Sequence, residues 1–340
     1  MTIRIAINGY GRIGRCVLRA LYESSGDRSL RIVAINEPAD ISVMAHLTRY
    51  DSTHGRFSGT VGFDEDALFV EDDIITVTRQ STIEGLPWGR LGVDLVMECT
   101  GHWISRQDAE AHKACGAKKV LFSCPAAPDV DATVVFGLNE KSLSGYETVV
   151  SNASCTTNCI CHLIHALDQS LGIVSGVITT THAMMNDQPV IDAYHHGDLR
   201  RTRSAGYSIL PVETGLARGL DRIFPHLKGR FQAVSLRVPT MNVSLMQLTA
   251  RVEKTVDREG VNVILKEAAC KKPHVMGYGE DMLVSCDYNH DARSAIVDGT
   301  QTRVAGGHLV TVMAWFDNEW GYANRMLDTA AVLGQGTDPG

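Results

Sequence analysis

The chain has 340 residues, 44% of them hydrophobic and 21% charged, with 31 Gly and 10 Pro; this is a globular composition, and two domains are expected because single cores rarely grow beyond about 250 to 300 residues. A formal net charge of −7, from 32 Lys+Arg against 39 Asp+Glu, offers no cationic surface to nucleic acid or anionic lipid, so neither is an expected partner. No apolar run approaches the roughly 18 residues that a membrane span needs, and nine cysteines without regular spacing read as thiols of a reducing cytoplasm rather than a disulfide framework.

In chain order, the first element is a short apolar strand over Ile3 to Ile7, too brief and too alternating for a signal peptide. Gly9-Tyr10-Gly11-Arg12-Ile13-Gly14 follows, matching the G-x-G-x-x-G spacing, and Val17, Leu18 and Leu21 then mark one face of a helix. Glycine triplets occur by chance as tight turns. Here the context of strand, turn, helix and a second strand over Leu30 to Ile35 gives the triplet a purpose. The glycines let the backbone approach a pyrophosphate, the helix N-terminus attracts its charge, and Glu37 at the end of the second strand is placed to accept hydrogen bonds from a ribose. A carboxylate there repels a 2′-phosphate, so NAD is expected over NADP. Glu37 as a solvated strand end is the plain alternative.

Further strands are predicted at Val93 to Met97 and Lys119 to Phe122, around a helix near Asp108 to Ala114, which together imply a doubly wound parallel sheet. Beyond about residue 155 the pattern shifts to long alternating runs, Gly172 to Thr181, Phe231 to Val238 and Val243 to Val252, expected of a largely antiparallel sheet. The reading is therefore a Rossmann-type NAD-binding domain over 1–154, an α+β catalytic domain over 155–317, and a C-terminal helix over 318–340. Residues 187–208, rich in His, Arg and Gly, form a predicted long loop.

At the boundary, Ser151 to Asn158 supplies cap-forming residues before the apolar face of Ile160, Leu163, Ile164 and Leu167, which sets Cys155 at a helix N-terminus. A helix dipole favours a thiolate there. His182, at the end of the strand Val177 to Thr181, is the candidate general base. A buried structural thiol and a satisfied polar histidine are the plain alternatives. Cys155, Cys159, Cys161, His162 and His165 crowd one helix, but only i,i+4 pairs share a face and no second pair follows at finger spacing, so no metal is expected.

Three segments carry a resemblance: Ala6 to Arg15, Ser151 to Cys159, and Trp315-Phe316-Asp317-Asn318-Glu319-Trp320-Gly321-Tyr322. They are similar to signatures of the glyceraldehyde-3-phosphate dehydrogenase family, and the similarity runs over essentially the whole chain. The resemblance implies an NAD-dependent oxidation of a small phosphorylated aldehyde, with Cys155 as nucleophile and His182 as base. It implies cofactor contacts at Gly9, Gly11, Arg12, Ile13, Gly14, Glu37, Asn318 and Tyr322, with Asn318 at the nicotinamide carboxamide. Substrate and phosphate contacts are implied at Ser154, Thr156, Arg201, Thr214, Gly215 and Arg237. The loop 187–208 resembles the family segment that packs on a neighbouring subunit, which implies a homotetramer.

Within the family, Arg49 to Phe57, His182 to Tyr194 and Ser294 to Val304 look closest to the branch that oxidises erythrose 4-phosphate with water as the final acceptor, implying supply of a vitamin B6 precursor. Met185 stands where phosphorylating members carry a threonine that donates to the substrate phosphate, and methionine cannot donate that bond. Phosphorylating oxidation of glyceraldehyde 3-phosphate is the nearest alternative. A non-catalytic NAD-binding redox sensor, with Cys155 as an oxidisable switch, is the alternative from another class.

Overall fold

The computed structural model describes residues 2–24, 29–195 and 197–335; the last residues of the expected C-terminal helix, 336–340, lie outside the described residues, as does Met1. The chain forms two compact units, one of Met1–Ser154 with Tyr322–Gly340, the other of Cys155–Gly321.

The first unit opens with β1 (Ile3–Asn8), α1 (Arg12–Glu23), β2 (Leu30–Asn36) and α2 (Ile41–Arg49). The four β1 residues after Arg4 are all buried, without alternation, because helices cover both faces of a parallel sheet. A two-stranded ribbon, β3 (Tyr50–Asp51) and β4 (Gly55–Arg56), leads to β5 (Val61–Phe63), β6 (Ala67–Val70) and β7 (Asp73–Thr78). β8 (Leu95–Glu98), α3 (Arg106–Ala114), β9 (Lys119–Phe122), β10 (Ala132–Thr133) and β11 (Val149–Ser151) complete the unit's sheet. Its nine strands run β10-β11-β9-β8-β1-β2-β7-β6-β5, parallel from β10 to β7 and antiparallel at the β6 and β5 edge.

Local chemistry explains the boundaries. Ser105 and Asp108 form a reciprocal capping box at the start of α3, and the Asp40 side chain caps α2 through Ser42 N–H at 2.8 Å. Trp88, fully buried, packs with Val93, Val96, Val120 and Phe122 on one face of the sheet. The antiparallel edge over residues 61–78 was not read from the sequence, since strands of three to six residues joined by polar turns carry little periodicity.

The second unit begins with α4 (Cys155–Leu171) and β12 (Ile173–His182), followed by β13 (Leu210–Val212), α5 (Leu216–Ile223), β14 (Phe231–Arg237) and β15 (Ser244–Val252). α6 (Arg258–Lys271), β16 (Met276–Gly279), β17 (Ala295–Asp298), β18 (Arg303–Ala305) and β19 (Leu309–Phe316) complete it. Its sheet runs β13-β14-β12-β15-β19-β17-β16, with β18 on β19. Most pairs are antiparallel, and β15 alternates buried and half-buried residues as a sheet with one covered face must. Two pairs, β12 with β14 and β16 with β17, are parallel.

The last helix, α7 (Trp320–Gln335), straddles the division. Trp320 and Gly321 belong to the second unit: the Trp320 ring stacks on His290 with centroids 3.6 Å apart, and a Cβ on Gly321 would meet Arg293 O at 2.7 Å. From Tyr322 onward the helix belongs to the first unit, where Lys119 Nζ donates to Leu333 O at 2.9 Å and Thr329 Oγ1 to Asn152 Oδ1 at 2.7 Å. Asn318 therefore lies in the second unit and Tyr322 in the first.

Candidate active site

In the first unit the glycine loop opens onto a cleft of about 530 Å³ at the carboxyl ends of β1, β2 and β8, lined by Gly9, Gly11, Asn36, Glu37, Thr100 and Trp103 among others. Gly9 has φ +89°, and a Cβ there would stand 2.8 Å from Thr100 N; a Cβ on Gly14 would stand 2.3 Å from Gly9 O. Only glycine satisfies both positions. Among the described residues nothing lies within 4 Å of a Cβ built on Gly11 and no side chain caps α1, so the backbone there is open to a ligand. Arg12 and Ile13 form the first turn of that helix.

Glu37 sits where the sequence places it, at the end of β2. Its Oε2 accepts from Tyr10 N–H at 2.9 Å and its Oε1 from Ala39 N–H at 3.3 Å, so the glycine loop itself orients the carboxylate. Arg12 forks onto Asp51, with Nη2 donating to Oδ1 at 3.2 Å. Burial raises Asp51, but the Arg12 bond and the N–H groups of His54 and Thr53 outweigh it and hold the carboxyl well below its usual range. An open glycine backbone at an uncapped helix start and an oriented carboxylate fit the pyrophosphate and ribose of NAD.

The sequence reading missed the buried polar chain beneath this cleft. Asn36 Nδ2 donates to Asn8 Oδ1 at 2.8 Å, Asn8 Nδ2 to Glu98 Oε2 at 2.6 Å, and Thr100 N–H to Glu98 Oε1 at 2.8 Å. Trp88 Nε1 donates to His112 Nδ1 at 3.0 Å, so the His112 proton sits on Nε2, 3.1 Å from Glu98 Oε2. These bonds tie Asn8 and Thr100 in place. The only signal in the sequence is a polar residue ending each apolar strand, Asn8, Asn36 and Glu98.

In the second unit Cys155 is the first residue of α4, and its Sγ lies 3.8 Å from His182 Nε2. His182 is buried, edge-on to Phe316, and its Nδ1 lies 2.8 Å from Ala183 O. A carbonyl only accepts, so Nδ1 carries the proton and the bare Nε2 faces the thiol. Although part of Cys155 reaches the surface, the packing around Sγ pushes the thiol up to about 11; the N–H groups of Thr156 and Cys155 and the charge of Arg237 oppose that rise. The helix start alone therefore does not ionise the thiol. Burial lowers His182 below its ordinary 6.5, partly offset by the Ala183 carbonyl, which keeps the imidazole neutral and able to accept.

Sheet register brings the cationic groups to this pair. Parallel pairing of β12 with β14 aligns His182 with Arg237. Asp187 then bridges two arginines: Arg237 Nη1 and Nη2 donate to its Oδ1 and Oδ2 at 2.6 and 3.3 Å, and Arg201 Nη1 donates to Oδ2 at 3.0 Å. Burial raises Asp187, but the Arg237 bonds and the Arg201 charge hold it below its usual range. The sequence reading named both arginines and missed Asp187, which stands 14 and 50 residues from them.

Thr214 and Gly215 lead into α5, where Thr214 Oγ1 accepts from Leu216 N–H at 3.2 Å and Gly215 is the N-cap. That helix packs near the first turns of α4, since a Cβ on Gly219 would stand 3.6 Å from Thr157 Oγ1. Ser154 and Thr156 flank Cys155, each half-buried. Asn318 is held by a relay in which Ala183 N–H donates to Ser244 Oγ at 3.0 Å and Ser244 Oγ donates to Asn318 Oδ1 at 2.8 Å; its amide nitrogen is left as the donating end. Tyr322, in the first unit, donates its hydroxyl to Ala153 O at 2.8 Å. Cys159 and Cys161 are fully buried in α4, where burial pushes both thiols up.

Two family models match the chain: the NAD binding domain of glyceraldehyde 3-phosphate dehydrogenase over residues 3–106, and the C-terminal domain of the same enzyme over residues 154–318. The first covers the glycine loop and Glu37, the second the Cys155–His182 pair, both arginines and Asn318. With a dinucleotide cleft in one unit and a thiol facing a bare imidazole nitrogen in the other, the chain belongs to the glyceraldehyde-3-phosphate dehydrogenase family of NAD-dependent oxidoreductases.

Proposed function

We propose that the protein oxidises D-erythrose 4-phosphate to 4-phospho-D-erythronate, as an erythrose-4-phosphate dehydrogenase. The observation that carries the chemistry is the 3.8 Å approach of Cys155 Sγ to the unprotonated Nε2 of His182, next to the arginines joined by Asp187. His182 Nε2 takes the thiol proton as Sγ attacks the aldehyde carbon, forming a hemithioacetal. The developing oxyanion is stabilised by the Cys155 N–H at the start of α4 and by the newly protonated His182. NAD, when bound, supplies the acceptor for the hydride that leaves this carbon. The product on Cys155 is a thioester. His182 gives up the thiol proton to solvent and, neutral again, draws a proton from water, whose oxygen attacks the thioester carbonyl and expels the Cys155 thiolate. Arg201 and Arg237, with Ser154, Thr156, Thr214 and Gly215, hold the phosphate and ester oxygens of the substrate.

The four-carbon substrate and water as acceptor rest on Met185, which is half-exposed and has no side-chain proton to donate to a phosphate. Initial rates on erythrose 4-phosphate and glyceraldehyde 3-phosphate, each with and without inorganic phosphate, test this directly. Faster turnover of the four-carbon aldehyde without any phosphate requirement is expected. Strict dependence on phosphate with preference for the three-carbon aldehyde would establish phosphorylating oxidation instead.

The proposal includes a homotetramer in a reducing cytoplasm. Among the described residues no disulfide joins any two of the cysteines. In the loop over 187–208, Val190, Ile191, Tyr194 and Leu199 are more than three-quarters exposed, as is Tyr207; an apolar set of that size on one loop is characteristic of an interface. Small-angle scattering should return four times the chain mass, and a monomeric mass would rule the assembly out.

A further inference from the structure

The turn after His182 holds more hydrogen-bond donors than its acceptors satisfy. Gln188 N–H donates to Met185 O at 3.2 Å, closing a turn that seats the side chains of Asp187 and Gln188 on Arg237. Arg237 Nη1 donates to Gln188 Oε1 at 3.0 Å. A guanidinium can only donate, so the amide oxygen is the atom that faces it and the amide nitrogen is turned away. That nitrogen, Nε2, is buried in a residue only 8% exposed and has no hydrogen-bond partner among the described residues. Among the described residues Arg201 Nε is also buried without a hydrogen-bond acceptor, with Asp198 Oδ2 standing 3.5 Å away in an ion pair.

Buried donors in folded proteins are nearly always paired, so two that lack acceptors beside the same carboxylate point to a ligand made of acceptors. A phosphate monoester is such a ligand, with three terminal oxygens and a negative charge suited to the guanidinium groups. Of the neutral side-chain donors in this segment, Asn186 is exposed while Gln188 is buried against Arg237, and Met185, at the start of the turn, offers none.

We propose that Gln188 is a further specificity-determining residue of the site, its Nε2 donating to the phosphate of the aldehyde substrate beside Arg237. The proposal rests on the reading of Arg201 and Arg237 as the substrate's phosphate site. The oxygen of Gln188 stays with Arg237 and fixes the amide.

The test compares kcat/KM for erythrose 4-phosphate with kcat/KM for erythrose, which lacks the phosphate, in the full-length wild type, Gln188→Leu and Arg237→Gln. Gln188→Leu is expected to lower the ratio of the two by about tenfold or more, through KM, as loss of one hydrogen bond to a charged group does. Should that variant fold poorly, Gln188→Met keeps the side-chain length and serves the same comparison. A ratio that falls in Arg237→Gln and is unchanged in the Gln188 variants overturns the Gln188 assignment alone. Equal losses on both aldehydes in the Gln188 variants also overturn it, since they report a structural role. A ratio unchanged even in Arg237→Gln overturns the phosphate site itself.

Discussion

Cys155→Ser is expected to reduce aldehyde-dependent NADH formation by about 10⁴-fold or more while leaving NAD affinity unchanged. A serine hydroxyl at the same helix start ionises several pH units above a thiol and forms an ester rather than a thioester, so both the attack and the release step lose their driving force. The residues that fit the dinucleotide, Gly9, Gly11 and Glu37, belong to a cleft in the other unit and do not involve the sulfur. Stopped-flow absorbance at the NADH band, with NAD binding followed by titration, separates the two quantities. Near-normal turnover of the serine variant would sink the assignment of Cys155, and with it the thioester route.

The second large effect is expected at His182. In the wild type the reactive state holds one proton on the Cys155–His182 pair, whichever atom carries it. That state persists between the lowered titration of His182, below 6.5, and the raised titration of Cys155, about 11. The wild-type kcat/KM should therefore be level across neutral pH and fall on the acid side only below pH 6.5, where His182 gains a second proton for the pair. His182→Asn removes the acceptor nitrogen. The thiol must then ionise alone against its burial, so the rate at neutral pH should drop by about 10² to 10⁴-fold. The acid limb should also move upward, with kcat/KM rising about tenfold per pH unit over neutral to mildly alkaline pH. A purely structural loss would lower the profile without moving its limb, and that outcome would remove His182 from the role of base.

The strand, glycine turn and helix at the start of the chain were legible because each is local. The φ of Gly9 and the closeness of Gly14 to Gly9 O are demands on backbone space that glycine alone meets, and they recur at fixed spacing. Cys155 at the start of α4 was legible for the same reason, from cap-forming residues followed by an apolar face. The inference drawn from that position was incomplete. A helix start favours a thiolate, but burial of Sγ costs more than the N–H groups of Thr156 and Cys155 return, and burial is a property of packing. The group that faces the sulfur is the bare Nε2 of His182, which depends in turn on the Ala183 carbonyl that fixes the other nitrogen's proton.

The two arginines divide along the same line. Arg201 and Arg237 were named on resemblance, as residue types suited to phosphate, yet nothing in their positions joins them. Parallel pairing of β12 with β14 puts Arg237 beside His182, inside a sheet whose alternating runs predicted mainly antiparallel neighbours. Asp187 then links Arg237 to Arg201, and Gln188 is left with a buried donor and no acceptor among the described residues. By itself the sequence determined the two kinds of unit, the dinucleotide loop and the placing of Cys155 at a helix start, because spacing along the chain and local backbone sterics suffice for those. Only the tertiary structure decided which nitrogen meets the sulfur, how far burial resists its ionisation, and which side chains share the two arginines. Those are matters of strand register and desolvation, and both arise between residues far apart in the chain.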